Sequence, residues 1–140
     1  MGRSGYTEGW DEEPWQTIMW RGQVASAIRG KRGQAFLREL VEALDAMPEK
    51  RLIAHELRKG DEVCALGAVG AKRGVELEKL DPEDYDTIAG VFGVAHQLIQ
   101  EIEWMNDEVA AYGDTPESRW IRVRNWAAEK LTAGSHAPQR

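Results

Sequence analysis

A chain of 140 residues, 42% hydrophobic and 30% charged, has the size and composition of one folded globular domain and not of a disordered protein. The formal net charge of −6 argues against a protein that coats nucleic acid, because that work needs a surplus of Lys and Arg. The single cysteine excludes an intramolecular disulfide. No stretch approaches the roughly 18 apolar residues of a membrane span, or the apolar core of a signal peptide. We therefore expect a cytoplasmic protein without membrane contact.

Residues 1–13 are rich in glycine and polar groups and lack a hydrophobic period, which predicts an extended arm. Pro14 suits the first position of a helix, where its missing N–H costs nothing. Apolar residues then recur at helical spacing and predict a first helix over 14–29, with Trp15 facing the core. We expect this helix to stop at Gly30.

The segment 30–33 (GKRG) separates two helical patterns, and its glycines can supply the positive φ angles of a tight connection. Beyond it, apolar residues at steps of three and four predict an amphipathic helix over 33–46. Residues 51–57 (RLIAHEL) lack a clean alternation, so helix is an alternative, but the turn that follows favours a small hairpin with 62–65. Small residues over 64–72 predict a short helix packed very close to a neighbour.

Asp81 followed by Pro82 predicts a capped helix start, and apolar residues continue at helical spacing as far as Val109. Gly90 and Gly93 lie inside this stripe, at points where a helix can kink or split.

Thr115 and Pro116 repeat the cap and the proline of a helix start, and the last helix continues from there to residue 131, with Trp120 facing the core. Residues 132–140 have the composition of a tail. The predicted fold class is mainly α, a compact bundle of about five helices within residues 14–131, with one small β-hairpin as an option.

Cys64 is a candidate nucleophile, because a helix start favours a thiolate and His55 is a possible activating base. Glu62 lies two residues away and disfavours a negative charge on sulfur, and a cysteine flanked by Val, Ala and Leu is typically a small buried hydrophobe. The sequence therefore favours packing. An enzyme built on Cys64 ranks last among the candidate functions, and we assign no catalytic residue and no cofactor.

His96, Gln100, Glu103 and Asp107 follow one another at helical steps of three and four residues. These side chains can transfer protons or hold a metal, but the favoured interpretation is a solvated polar face opposite the apolar stripe. Asn106 is a candidate orienting residue, or else satisfies backbone groups around a loop. No metal site is assigned, since the three histidines are scattered.

Nucleic-acid binding is an alternative function, because residues 21–38 hold five bases and no acid, whereas 76–86 hold six acids. The glycines of 30–33 leave backbone amides open to a phosphate. The spacing of a Walker loop is absent, and the helix after Arg38 is too acidic to read a groove. A plain helix corner is the competing interpretation. The residues of this alternative are Arg21, Arg29, Lys31, Arg32 and Arg38.

Six tryptophans are more than a core of this size ordinarily needs, and Trp is enriched at interaction hot spots. Trp15 and Trp120 fit apolar stripes, whereas Trp10, Trp104 and Trp126 do not. We predict that these last three line a groove or an interface. Binding of a protein partner, or self-association, is therefore favoured over catalysis.

A family resemblance covers residues 14–131. It is carried by 29–40 (RGKRGQAFLREL), 43–48 (ALDAMP), 64–70 (CALGAVG), Asn106-Asp107, and the helix start Thr115-Pro116-Glu117 with Trp120 and Trp126. In kind and order they resemble a family of small uncharacterised proteins encoded by tailed bacteriophages and prophages. The resemblance transfers no site residue, because that family has no established function. It implies an accessory factor in the bacterial host cytoplasm that binds a host or phage protein, for example to inhibit a host defence complex.

Overall fold

Six α-helices make up most of the chain that the computed structural model describes, residues 3–4, 14–110 and 113–132. The fold is mainly α with one small hairpin, as predicted. The helices are α1 Pro14–Arg29, α2 Lys31–Ala46, α3 Ala65–Arg73, α4 Tyr85–Phe92, α5 His96–Asp107 and α6 Pro116–Lys130. The strands are β1 Arg58–Lys59 and β2 Glu62–Val63, and a 3-10 turn spans Leu77–Lys79. Among the described helices, none is long and apolar enough to cross a membrane.

Helices α1 and α2 are joined by a single residue, Gly30, whose φ of −67° is open to any residue. The prediction of a four-residue connection with positive φ was therefore wrong. Gly33 lies inside α2 and has a different role, since a Cβ at this position would lie 1.8 Å from the carbonyl oxygen of Ala27. The glycine allows the two helices to cross in direct backbone contact.

The core lies between α2, α3, α5 and α6, and the predicted apolar stripe of α2 faces it. Helix α3 packs very close to its neighbours, as its small residues predicted. A Cβ on Gly67 would lie 2.0 Å from the carbonyl oxygen of Leu57, and one on Gly70 would lie 2.6 Å from the side chain of Leu77. Cys64 caps the start of α3 and is fully buried, so the prediction of a buried cysteine in a closely packed element is confirmed.

The long helix predicted from Asp81 to Val109 is two helices. Gly93 ends α4 in a left-handed conformation with φ of 76°, and α5 begins at His96. The start of α4 was also predicted too early, because Asp81 only accepts the N–H of Glu83 in a turn. Asp84 is the residue that caps α4. The predicted start of α6 is confirmed: Thr115 is the N-cap, Pro116 is the first helical residue, and Thr115 and Ser118 form a reciprocal cap.

The hairpin exists, but its first strand is β1 and not residues 51–57. Arg58 pairs with Val63 in antiparallel register. The preceding segment is irregular, since His55 adopts a φ of 72°, which breaks an extended run. The backbone of this segment is nevertheless held, because Ile53 donates its N–H to the carbonyl of Val63 at 3.0 Å.

Candidate functional site

Most polar side chains on the predicted solvated face of α5 are buried, and only His96 is half-buried, which corrects the sequence-based interpretation. We call His96, Gln100, Glu103 and Asp107 the α5 polar face. Gln100 is buried, Glu103 is 0% exposed, and the Asp107 side chain has no exposed surface. The segment Arg3–Ser4 lies on this face and is itself buried, so it shields the polar side chains of α5 from solvent.

Both the side chains and the backbone of Arg3–Ser4 are bound by α5 and its C-terminal cap. Arg3 makes a two-point ion pair with Asp107, from Nε to Oδ2 at 2.5 Å and from Nη2 to Oδ1 at 3.0 Å. Ser4 donates its hydroxyl to Glu108 Oε2 at 2.6 Å, and its carbonyl accepts Gln100 Nε2 at 2.7 Å. Four separate hydrogen bonds therefore recognise two consecutive residues.

Glu103 lies beside this ion pair without a hydrogen bond to either of its carboxylate oxygens. Burial, with the negative charges of Asp107, Glu108 and Glu83, raises the pKa of Glu103 to about 8, although the Arg3 charge lowers it. One nitrogen of Arg3, Nη1, is likewise buried without a partner. Buried polar groups are rarely left without a hydrogen bond, so these three unpaired atoms on Glu103 and Arg3 make the site unusual.

Asn106 and Asp107 connect α5 to the segment before the hairpin. Asn106 accepts the N–H of Ala65 at 3.0 Å and donates to the carbonyl of Ile53 at 2.9 Å, so it satisfies backbone groups as the sequence suggested. Asp107 accepts the N–H of His55 at 3.1 Å. His55 is the one non-glycine residue with positive φ among those described, and this hydrogen bond holds it in that strained conformation.

Cys64 belongs to the same buried region. Its sulfur accepts the N–H of Gly67 at 3.4 Å, and it is within electrostatic range of the Arg3 guanidinium. Burial alone would lower the pKa of Arg3, but its electrostatic interactions with Cys64 and Asp107 and its hydrogen bonds to Asp107 raise it above its ordinary value. Arg3 thus interacts with both Cys64 and Asp107, and Asp107 in turn binds the backbone of His55, a connection that the sequence did not predict.

A second unusual surface lies on the first half of α1. Every residue from Pro14 to Met19 is exposed, and three of them are large and apolar. Trp15 is 54% exposed, Ile18 is 70% exposed and Met19 is 54% exposed. We call these three residues the α1 apolar face.

The exposure of Trp15 makes its predicted place in the core wrong. Only the second half of α1 packs deeply, through Val24 and Ile28, so the first half extends beyond the core. Beside Met19, a groove of about 500 Å³ runs between α1 and the start of α5.

The basic segment predicted to bind nucleic acid is divided by the fold. Arg21 makes a two-point ion pair with the buried Glu101, at 2.8 and 3.0 Å, so its guanidinium is neutralised within the chain. Arg38 is half-buried. Arg29, Lys31 and Arg32 are exposed and make no ion pair within the described part of the chain.

The three tryptophans predicted at an interface have different positions. Trp126 is 8% exposed and lies in the hydrophobic core, so it has little surface to offer a partner. Trp104 is half-buried on α5, and Trp10 lies outside the described residues. Trp120 is half-buried against the core as predicted, and it donates its indole N–H to the carbonyl of Leu44 at 3.1 Å.

The predicted arm, 1–13, and tail, 132–140, lie outside the described residues apart from Arg3, Ser4 and Thr132. Within the described ranges, no group of three or more His, Cys, Asp or Glu side chains could hold a metal ion. No protein-family model, no curated protein and no solved structure matches the chain significantly. The α5 polar face and the α1 apolar face are therefore the two candidate functional surfaces.

Proposed function

We propose that the protein acts by binding a protein partner through the α1 apolar face. The observation that carries this proposal is the exposure of Trp15, Ile18 and Met19 on neighbouring turns of one helix. Large apolar side chains scattered singly on a surface are ordinary, but a contiguous set is typical of an interaction site. Burial of these side chains against a partner would supply the main driving force of association.

The chemistry around this face favours an acidic amphipathic helix as the bound element. Helix α1 contains no acidic residue. Three basic residues, Arg29 at its end and Lys31 and Arg32 at the start of α2, make no ion pair among the described residues. The groove beside Met19 gives a helix a place to insert an apolar side chain. Acids flanking the apolar stripe of such a partner would meet the three bases and orient the complex.

The resemblance to phage-encoded proteins supports a narrower form of this proposal. A small accessory protein of the host cytoplasm can act by occupying a functional surface of a host or phage protein. Inhibition of a host defence complex is one such role. The acidic segment 76–86 suits this role, since its negative charge can occupy a site on a defence complex that otherwise binds nucleic acid.

The test is affinity purification from phage-infected cells with Ile18→Glu and a matched control. Ile121→Glu places the same charge on α6 at a side chain that is 54% exposed but outside the α1 apolar face. We expect the wild-type chain and Ile121→Glu to retain a stoichiometric protein, and Ile18→Glu to lose it. Equal capture by all three chains, or no captured protein with any of them, would contradict the proposal. Size-exclusion chromatography of the same variants distinguishes a partner from self-association.

Nucleic-acid binding is the second candidate, favoured by the exposure of Lys31 and Arg32 at the start of α2. It predicts that DNA or RNA is retarded at about 50 mM salt, and that reversing the charge of both residues abolishes the shift. Ile18→Glu would leave such a shift unchanged. Absence of any shift at this low salt would eliminate this candidate.

A further inference from the structure

The α5 site binds the side chain of Arg3 and both the side chain and the backbone of the residue after it. We define it by Gln100, Glu103, Asp107 and Glu108. Asp107 binds the guanidinium of Arg3 at two points. Glu108 accepts the hydroxyl of the next residue, Ser4, and Gln100 donates to the backbone carbonyl of Ser4. Paired parallel contacts to a carboxylate are the geometry that distinguishes Arg from Lys.

Arg3 fills this site incompletely. Both oxygens of Glu103 and the Nη1 nitrogen of Arg3 are buried without a hydrogen bond. The site also holds three acidic side chains, those of Glu103, Asp107 and Glu108, against the single guanidinium of Arg3. Each buried polar group without a partner lowers the stability of the state that contains it. A ligand that reaches Glu103 as well as Asp107 would therefore satisfy the site better than Arg3 does.

We propose that the α5 site binds an arginine-containing segment of a partner protein, in competition with the chain's own Arg3–Ser4. Arg3–Ser4 then acts as an internal ligand that covers the site until a better ligand displaces it. Because the internal ligand is tethered, it competes at high effective concentration and sets a threshold for the partner. The inference does not depend on the α1 apolar face, since every residue of the site lies on α5 or its C-terminal cap.

The experiment uses the full chain with Arg3→Ala and, as probe, a blocked Gly-Arg-Ser-Gly peptide, the sequence of residues 2–5. Calorimetric titration should show binding to Arg3→Ala at least about tenfold tighter than to the wild-type chain, because the tethered competitor has been removed. A peptide with citrulline in place of arginine keeps the shape without the charge, and it should not bind. Adding Gln100→Ala to Arg3→Ala should weaken binding, because Gln100 donates to the carbonyl of the residue after the arginine, whereas adding Glu117→Ala, at an exposed position of α6, should not.

Equal affinity of the peptide for the wild-type chain and for Arg3→Ala would overturn the proposal, and so would no binding to folded Arg3→Ala. If Arg3→Ala does not fold, its melting is followed with the peptide present. Restored cooperative melting would support the site, and no restoration would overturn it. A wild-type dimer that dissociates in Arg3→Ala would assign the site to exchange of Arg3–Ser4 between copies instead, which would also overturn binding of a partner.

Discussion

The first half of α1 and the length of α5 depart from the usual arrangement of a globular protein in opposite directions. On α1, large apolar side chains such as Ile18 face solvent, whereas on α5 the carboxyl groups of Glu103 and Asp107 are closed to it. An exposed apolar cluster and a buried carboxyl group without a hydrogen-bond partner are the two observations that ordinary folding stability does not explain. Together they support the two proposals made above, binding by apolar burial on α1 and recognition of an arginine on α5.

The same comparison separates stability from function. Apolar groups exposed on α1 add little to the folded state, so changing them should affect binding alone. Groups buried on α5 are coupled to Arg3, to His55 and to the start of α3, so changing them should affect folding as well. Four experiments measure how sharp this difference is.

Asp107→Ala should have the largest effect. It leaves the Arg3 charge buried without its partner and removes the acceptor of the His55 N–H, so we expect a loss of about 3–5 kcal/mol in the free energy of unfolding. Asp45→Ala breaks the exposed ion pair with Arg124 and should cost about 1 kcal/mol or less. Denaturant unfolding of both variants provides the measurement. Similar losses would mean that the Arg3–Asp107 pair is not buried in solution.

A methyl group added to one glycine in each region should have opposite effects. Gly67→Ala would place Cβ 2.0 Å from the carbonyl oxygen of Leu57, beside the buried site, and should destabilise the fold by about 1–3 kcal/mol or more. Gly22→Ala meets nothing within 4 Å on α1 and should stabilise it by about 0.5–1 kcal/mol, because alanine favours helix. Thermal melting compares the two, and a stabilising Gly67→Ala would show that α3 packs less closely than described.

Glu103→Gln should change how stability depends on pH. The folded state holds the Glu103 proton up to about pH 8, while the unfolded chain releases it near its ordinary value of 4.5. Between these values the folded state binds more protons, so wild-type stability should fall as pH rises, by up to about 1.4 kcal/mol per pH unit. Glutamine carries no such proton, and the slope should flatten. Identical pH profiles from 5 to about 8 would show that Glu103 is solvated.

Much of the fold was predictable from the sequence because helix signals are local. The bounds of α1 and the start of α6 follow from Pro14 and from the pair Thr115-Pro116, whose effects act within one turn. The split between α4 and α5 was less predictable, since Gly93 is compatible with a kink as well as with a stop. The irregular backbone at His55 is held by a distant aspartate and gives no local signal.

The candidate site was harder to predict than the fold, because it is a matter of which elements meet. The spacing of Gln100, Glu103 and Asp107 on one helical face was visible, but the same spacing is typical of a solvated face. Its burial depends on Arg3, about a hundred residues away in sequence, which only the structure brings into contact. Trp15 misled in the opposite direction, since a helical stripe shows which residues align but not how far the core extends along them.

The smallest effect is expected for Ile18→Ala, and it tests whether the α1 apolar face is surplus to folding. A side chain 70% exposed contributes little burial, so the free energy of unfolding should change by less than about 0.5 kcal/mol. Ile102→Ala, the same change at a fully buried position of α5, should cost about 2–5 kcal/mol through the cavity that it leaves. If Ile18→Ala destabilised the isolated chain by a comparable amount, the α1 apolar face would be covered within the molecule itself. The stability of the free chain would then depend on the same side chains that we propose bind a partner.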